Sequence, residues 1–380
     1  MKFVFCFLLL LINTKSFGQT HFTIPQNVWR FTVNSDLSSG KWKSNSFSNK
    51  GVHHVYKIDT TTYSIYQNFK RKTLTNKLNI EYGFTDRTTL VFQIPYIQKI
   101  TENRSWFVDN DSSSFALDSL FSLYYPKSIP NNGLSDLTIG VNVLLKGAPA
   151  WRGGKQKFSL YSGIDMIFPF AETLKKYDPF KNGSGEIPYQ FKQIPLGEGL
   201  TEIRLRFFGE FYRKGWGRLF NINWKIGLSG FQKAEVNPRI TFLWIEDASA
   251  DSIARTIGDV IQKKSVKINA MVKAQVELFP KKIFFTTGVD LEHSGRDKFY
   301  SSNSSWDVWM RKRKGYDSKN MLTYQFVKVN LFNLDPYLMI GPLPFELEVG
   351  ARWFLPYPLT FNSYGGVSSW VQLSTYFQAW

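Results

Sequence analysis

The chain alternates apolar and polar positions with a period of two through most of its length. Residues 266–278 are the clearest stretch: Val266, Ile268, Ala270, Val272, Ala274, Val276 and Leu278 fall on one parity, and Lys267, Asn269, Lys273, Gln275 and Glu277 on the other. Successive side chains of a strand point to opposite faces, so this pattern predicts a strand with one apolar face and one charged face. Residues 202–212 repeat it, with Ile203, Leu205, Phe207 and Phe211 against Glu202, Arg204, Arg206 and Glu210. So do residues 220–229, with Phe220, Ile222, Trp224, Ile226 and Leu228 against Asn221, Asn223, Lys225 and Ser229, and residues 345–353, with Phe345, Leu347, Val349 and Trp353 against Glu346, Glu348 and Arg352. Weaker versions lie at 26–34, 76–84, 88–98, 135–145, 157–168, 283–292, 321–332 and 367–380, giving about twelve strands.

The gaps between these segments alternate in length. Long ones cover 35–75, 99–134, 169–201, 230–265 and 293–320; short ones cover 85–87, 146–156, 214–217, 280–281 and 333–344. Outer-membrane barrels have long extracellular loops, short periplasmic turns and an even strand number. The expected fold is therefore all-β, a transmembrane antiparallel β-barrel of about 12 strands with that loop arrangement. The last strand sets Val371, Leu373, Thr375, Phe377 and Ala379 on one parity and leaves the terminal Trp380 on the other, which predicts a bulge or a mixed face there. A soluble β-domain is the competing reading, but its core would not need so many charged residues on the inner parity.

Composition supports this. Aromatics make up 17% of the 380 residues, as girdles at two membrane interfaces require. Residues 4–12 form an apolar run after Lys2, and Ser16 and Gly18 stand where a cleavage site needs small residues. Residues 1–18 therefore read as a signal peptide and residues 19–380 as the barrel. Cleavage removes Cys6, the one cysteine, so neither disulfides nor a cysteine metal site is expected.

Residues 81–96 (EYGFTDRTTLVFQIPY) and 133–145 (GLSDLTIGVNVLL) carry a strand–turn–strand phrase and a Gly-Leu-x-Asp-Leu phrase. With 164–170 and 198–212 they resemble outer-membrane transporters of the phenol-degradation meta-pathway type and uncharacterised barrels of Bacteroidetes-type bacteria. Pro169-Phe170-Ala171 replaces the Pro-Thr-Gly of that pattern. The resemblance implies passage of small apolar or aromatic molecules.

Parity places a mixed set of charges in the lumen. The acids are Glu81, Asp165, Glu202, Glu210, Glu277, Asp290, Glu292, Glu346 and Glu348; the bases are Lys77, Arg204, Arg206, Lys225, Lys267, Lys273 and Arg352. Read plainly, these pair with one another and solvate the interior. A sharper reading makes Arg204, Arg206, Lys225, Lys267 and Lys273 one basic wall on three consecutive strands, lining a path for an anionic or amphiphilic solute. The net charge of +17 comes mainly from loops. Lys175-Lys176 and Arg311-Lys312-Arg313-Lys314 are expected to face outward as solvated surfaces or to meet lipopolysaccharide phosphates. Outer-membrane lipids, lipopolysaccharide and a small solute are the expected partners; no nucleic acid, cofactor or metal is expected, and His53-His54 has no companion ligands. Residues 249–263 change to helical spacing through Ile253, Ile257, Val260 and Ile261, with Ser249 or Asp251 as cap. They predict a helix at the barrel rim or, less simply, a plug.

Two alternatives to a channel remain at this point. One is a lipid hydrolase of the phospholipase or lipid A deacylase type, for which His293 and Ser294 are the nearest candidates. Adjacent strand residues face opposite ways, so these two meet only across a bulge. The other is a plugged barrel with a structural or surface-binding role.

Overall fold

The computed structural model describes residues 22–43, 52–58, 61–108, 128–149, 156–177, 193–215, 217–238, 250–312, 319–333, 344–356 and 363–378. Trp380 and residues 313–314 of the basic run lie outside these.

A closed antiparallel ring of twelve strands forms the wall. In chain order they are β1 (Val28–Lys43), β3 (Thr61–Thr85), β4 (Thr88–Val108), β6 (Leu137–Lys146), β7 (Gln156–Phe168), β8 (Glu202–Gly215), β9 (Arg218–Phe231), β12 (Lys267–Phe279), β13 (Ile283–Ser294), β15 (Asn320–Asn333), β16 (Phe345–Phe354) and β17 (Ser363–Gln378). Each pairs with its neighbours, and β1 against β17 closes the ring. That register is unbroken from Val28↔Gln378 to Lys43↔Ser363, so β17 needs no bulge over the described residues. β5 (Ser128–Leu134) continues the line of β6 along β4, after an interruption at Ser135-Asp136.

All twelve predicted segments are strands. β3 and β4 run well past their expected ends and, with β2 (Val52–Ile58), make a hairpin that continues beyond the ring. Three successive bases, Lys70-Arg71-Lys72, interrupt the alternation in β3, so a period of two does not carry the reading out to Thr61.

The faces sort as parity requires. The register rows Leu205↔Leu228↔Ile268 and Phe207↔Ile226↔Ala270 lie on the outside, where Phe207, Ile226 and Leu228 are exposed and Val272 is 57% exposed. The row Glu210↔Asn223↔Lys273 lies inside, and Glu346 is 0% exposed. A soluble protein would reverse this arrangement, since apolar area belongs away from water. Val272→Arg would put a charge on the apolar exterior, and a cost of about 2–4 kcal/mol is expected for a midplane site. Urea titration of the vesicle-folded barrel measures it; an unchanged midpoint would mean that Val272 does not face lipid.

One end of the ring carries the tight turns. At Thr85-Asp86-Arg87 the Arg87 amide donates to Thr85 Oγ1 at 3.1 Å. Gly217 (φ 72°) and Lys281 (φ 58°) supply left-handed residues to two others. The other end carries a small cap. Helix α1 (Ala250–Ile257), helix α2 (Ser304–Lys312) and the sheet β10 (Ala234–Val236), β11 (Val260–Lys263), β14 (Lys298–Tyr300) share a core of Ile257, Val260, Trp306 and Met310. The helical stretch is thus shorter than the expected 249–263. Gly258, at φ 59°, ends the helix, and Val260 and Ile261 pass into β11.

Candidate functional site

The lumen is the candidate site, and its charged side chains come in layers. Nearest the short turns, Arg30 on β1 makes a bidentate ion pair with Glu81 on β3, with Arg30 Nη2 to Glu81 Oε1 at 2.7 Å. Glu346 accepts from Asn330 Nδ2 at 2.6 Å and from the Tyr376 hydroxyl at 3.4 Å. Glu277 accepts from the backbone amides of Leu219 at 2.9 Å and Lys281 at 2.5 Å, so it fastens two turns instead of lining a solute path.

In the middle, Glu348 gathers Lys328 Nζ at 2.5 Å, Trp370 Nε1 at 2.8 Å and Asn330 Nδ2 at 2.9 Å. Across the bore Arg206 pairs with Asp165 and donates to Asn142 Oδ1 at 2.9 Å. The Tyr161 hydroxyl donates to Glu210. Arg352 donates to Ser368 Oγ at 2.7 Å and lies 5.2 Å from the centre of the Tyr324 ring. Toward the capped end, Glu202 holds Arg204 at 2.6 Å and Glu292 holds Lys267 at 2.8 Å.

The five expected bases do lie on the neighbouring strands β8, β9 and β12. They do not form a uniformly basic wall, because Arg204, Arg206 and Lys267 each have a carboxylate. Lys225 and Lys273 make no ion pair among the described residues. Arg30 and Lys328 also belong to the lumen and escape the parity reading. Arg30 shares its face with Val28 and Thr32, and Lys328 with Phe326 and Phe332, so neither stands in a visibly polar row.

Both ends of the lumen contain chain from outside the wall. At the short-turn end, residues Phe22–Gln26 enter the ring. The Ile24 amide donates to Thr89 Oγ1 at 3.0 Å, the Gln26 amide to Asp86 Oδ1 at 3.1 Å and the Asn27 amide to the Gly83 carbonyl at 2.8 Å. Asn142 Nδ2 donates to the Phe22 carbonyl at 3.0 Å. Gly83 is required here: a Cβ on it would lie 1.9 Å from the Pro25 carbonyl oxygen. The Phe22 ring reaches mid-barrel, 4.6 Å from the Phe208 ring and 5.4 Å from the Tyr161 ring.

At the other end, residues 193–201 of the β7–β8 connection fold into the mouth. Ile194 and Leu196 pack on Ile97, Ile100 and Ile129, which register places on the inner face. Asp136 accepts from the Ala171 amide at 3.2 Å and the Glu198 amide at 3.0 Å, while Ser135 Oγ donates to the Leu196 carbonyl at 2.7 Å. The interruption between β5 and β6 thus provides the anchor. Glu198 pairs with Lys264. The partly desolvated mouth opposes its charge, but Lys264, with Lys267 and Arg71, outweighs that and holds the carboxyl, still open to water, below the usual carboxylate range. The inward segment is therefore this loop and not the helix at 250–257, which packs in the cap. No alternation announces it, because a loop is anchored by its surroundings and not by its own period.

His293 and Ser294 lie on opposite faces. His293 registers with the outward Ile268, and Ser294 Oγ donates to Asn320 Oδ1 at 2.9 Å. No bulge interrupts β13 there, so the two cannot share a proton. Lys176 pairs with Asp259 and ties the β7–β8 connection to the cap.

A twelve-strand wall closed on itself, with an apolar exterior and a hydrogen-bonded ionic interior, is a bacterial outer-membrane β-barrel. Among the described residues no helix is long and apolar enough to cross a membrane, so the crossing is by strands. No protein-family model and no curated protein matches the chain. Among solved structures it is similar to an outer-membrane channel from Pseudomonas putida F1, at 11% identity and a TM-score of 0.49, covering 93% of this chain and 97% of that one. The CymD monoaromatic hydrocarbon channel is similar at 7% identity and a TM-score of 0.35, covering 94% and 90%. A FadL homologue from Pseudomonas aeruginosa is similar at 7% and 0.34, covering 93% and 91%.

Proposed function

We propose that the protein is an outer-membrane channel or transporter for small solutes. The short-turn end faces the periplasm, the cap faces outward, and residues 1–18 are removed as a signal peptide. The observation that carries this reading is the character of the two closures. Each is a short segment of chain seated by a few hydrogen bonds and one apolar patch, on an inner wall otherwise lined with polar and charged side chains. Eight strands leave room only for filling side chains, and sixteen leave an aqueous channel, so twelve enclose a narrow bore that one segment is enough to obstruct. The exposed bases Lys175 and Arg311 stand at the outer end, where lipopolysaccharide phosphates would be their partners.

The test is conductance of the refolded full chain in a planar bilayer over a series of salt concentrations. Discrete steps are expected. An inserted barrel that stays silent under all conditions would overturn an aqueous path and favour a barrel closed for a structural role, a reading the same two insertions suggest.

A further inference from the structure

Phe22 is the one aromatic ring from outside the wall placed at mid-lumen among the described residues, and its surroundings have the make-up of a ligand site. The Tyr161 and Phe208 rings are stacked, with centroids 5.3 Å apart and planes 6° from parallel. Phe22 meets both of them. Lys273 Nζ lies 6.0 Å from the centre of the Phe22 ring. Lys225 is the register partner of Phe208, so it leaves the same face of the wall beside that ring. Lys273 and Lys225 sit on adjoining strands, offset by two residues, because Lys273 pairs with Asn223 and Lys225 with Met271.

The nearby carboxylates have other donors. Glu210 takes the Tyr161 hydroxyl, Asp165 takes Arg206, and Glu348 takes Lys328, Asn330 and Trp370. Asp290 is close enough to Lys225 to interact electrostatically, but forms no ion pair with it. Two cations that form no ion pair among the described residues thus adjoin an aromatic slot already filled by a phenyl ring of the chain itself. A phenyl group supplies only the apolar half of what the slot and the two ammonium groups can take.

From this we infer that Tyr161, Phe208, Lys225 and Lys273 form a binding site for a small amphiphilic carboxylate, one apolar ring bearing one acid group, and that Phe22 occupies it as a built-in competitor. The ring takes the place of the Phe22 side chain, and the carboxylate lies between the two lysines. The inference rests on the channel reading for its physiological meaning, but not for its test.

The probe is 4-fluorobenzoate, and the readout is fluorine NMR of the full chain folded in detergent, followed by block of bilayer conductance by the same compound. Lys225→Gln and Lys273→Gln are each expected to weaken binding about tenfold, the usual scale for losing one charge-assisted contact. Phe22→Ala is expected to tighten it, since a ligand's apparent affinity rises with the fraction of sites free to receive it. Acetate, which lacks the ring, and toluene, which lacks the charge, are expected to compete poorly. Equal binding by wild type and both lysine variants, or acetate competing as well as benzoate, would overturn the site. Conductance steps without detectable fluorobenzoate binding would remove the site and leave the channel; binding that follows the variants in a silent barrel would do the reverse.

Discussion

Glu348→Ala is expected to lower the unfolding free energy of the barrel by about 3–5 kcal/mol, the range for removing one partner of a buried ion pair. Glu348 is 5% exposed and collects three donors from three different side chains, the Lys328 ammonium, the Asn330 amide and the Trp370 indole. Its removal leaves Lys328 inside without its counter-charge and the indole N–H without its acceptor. Glu348→Gln keeps an acceptor for Trp370 and is expected to cost less. Urea titration of the vesicle-folded protein, followed by tryptophan fluorescence, gives both values. A loss below about 1 kcal/mol for the alanine variant would place the network in bulk-like water, where ion pairs contribute little. The mid-lumen would then be wide and wet, and the narrow-bore reading would fail.

Gly83→Val is expected to expel the N-terminal segment from the lumen. The new side chain has no space, because even a Cβ would sit 1.9 Å from the Pro25 oxygen and 2.7 Å from its carbon, which are backbone atoms that cannot rotate aside. Seating of the segment rests on the burial of Phe22 and Ile24 and on four hydrogen bonds, together on the order of 5 kcal/mol. That matches the ~5.5 kcal/mol needed to carry a two-state equilibrium from one side to the other. Conductance steps are therefore expected to become larger or longer-lived, and protease added from the short-turn side is expected to trim residues near 22–26. Unchanged steps together with unchanged protection would mean that the segment leaves the wild-type path clear. Glu348→Ala and Gly83→Val also act on different things, the first on the wall and the second on what the wall contains.

Sequence alone determined the wall. Strand number, the placing of Val272 outward and Lys273 inward, and the inward set from Glu202 to Arg352 all follow from a period of two read against two solvents. The rule is local: each residue's face depends only on its neighbours' parity. It fails where successive charges interrupt the alternation, as at Lys70-Arg71-Lys72 in β3, and where uncharged neighbours on the same face hide an inward base, as at Arg30 and Lys328.

Tertiary structure decided what the charges do and what occupies the bore. Parity places Arg204, Arg206, Lys225, Lys267 and Lys273 on one wall but is silent on their partners. Only the register, which sets Asp165 against Arg204 and within reach of Arg206, and Glu292 close to Lys267, separates the paired bases from Lys225 and Lys273. Glu277 looks like any other inward acid until two turns present their amides to it. The closures depend on contacts between residues far apart in the chain: Phe22 with Tyr161 and Phe208, Pro25 with Gly83, Leu196 with the inner face of β4. Such contacts carry no sequence period, because a segment held by a cavity takes its conformation from the cavity.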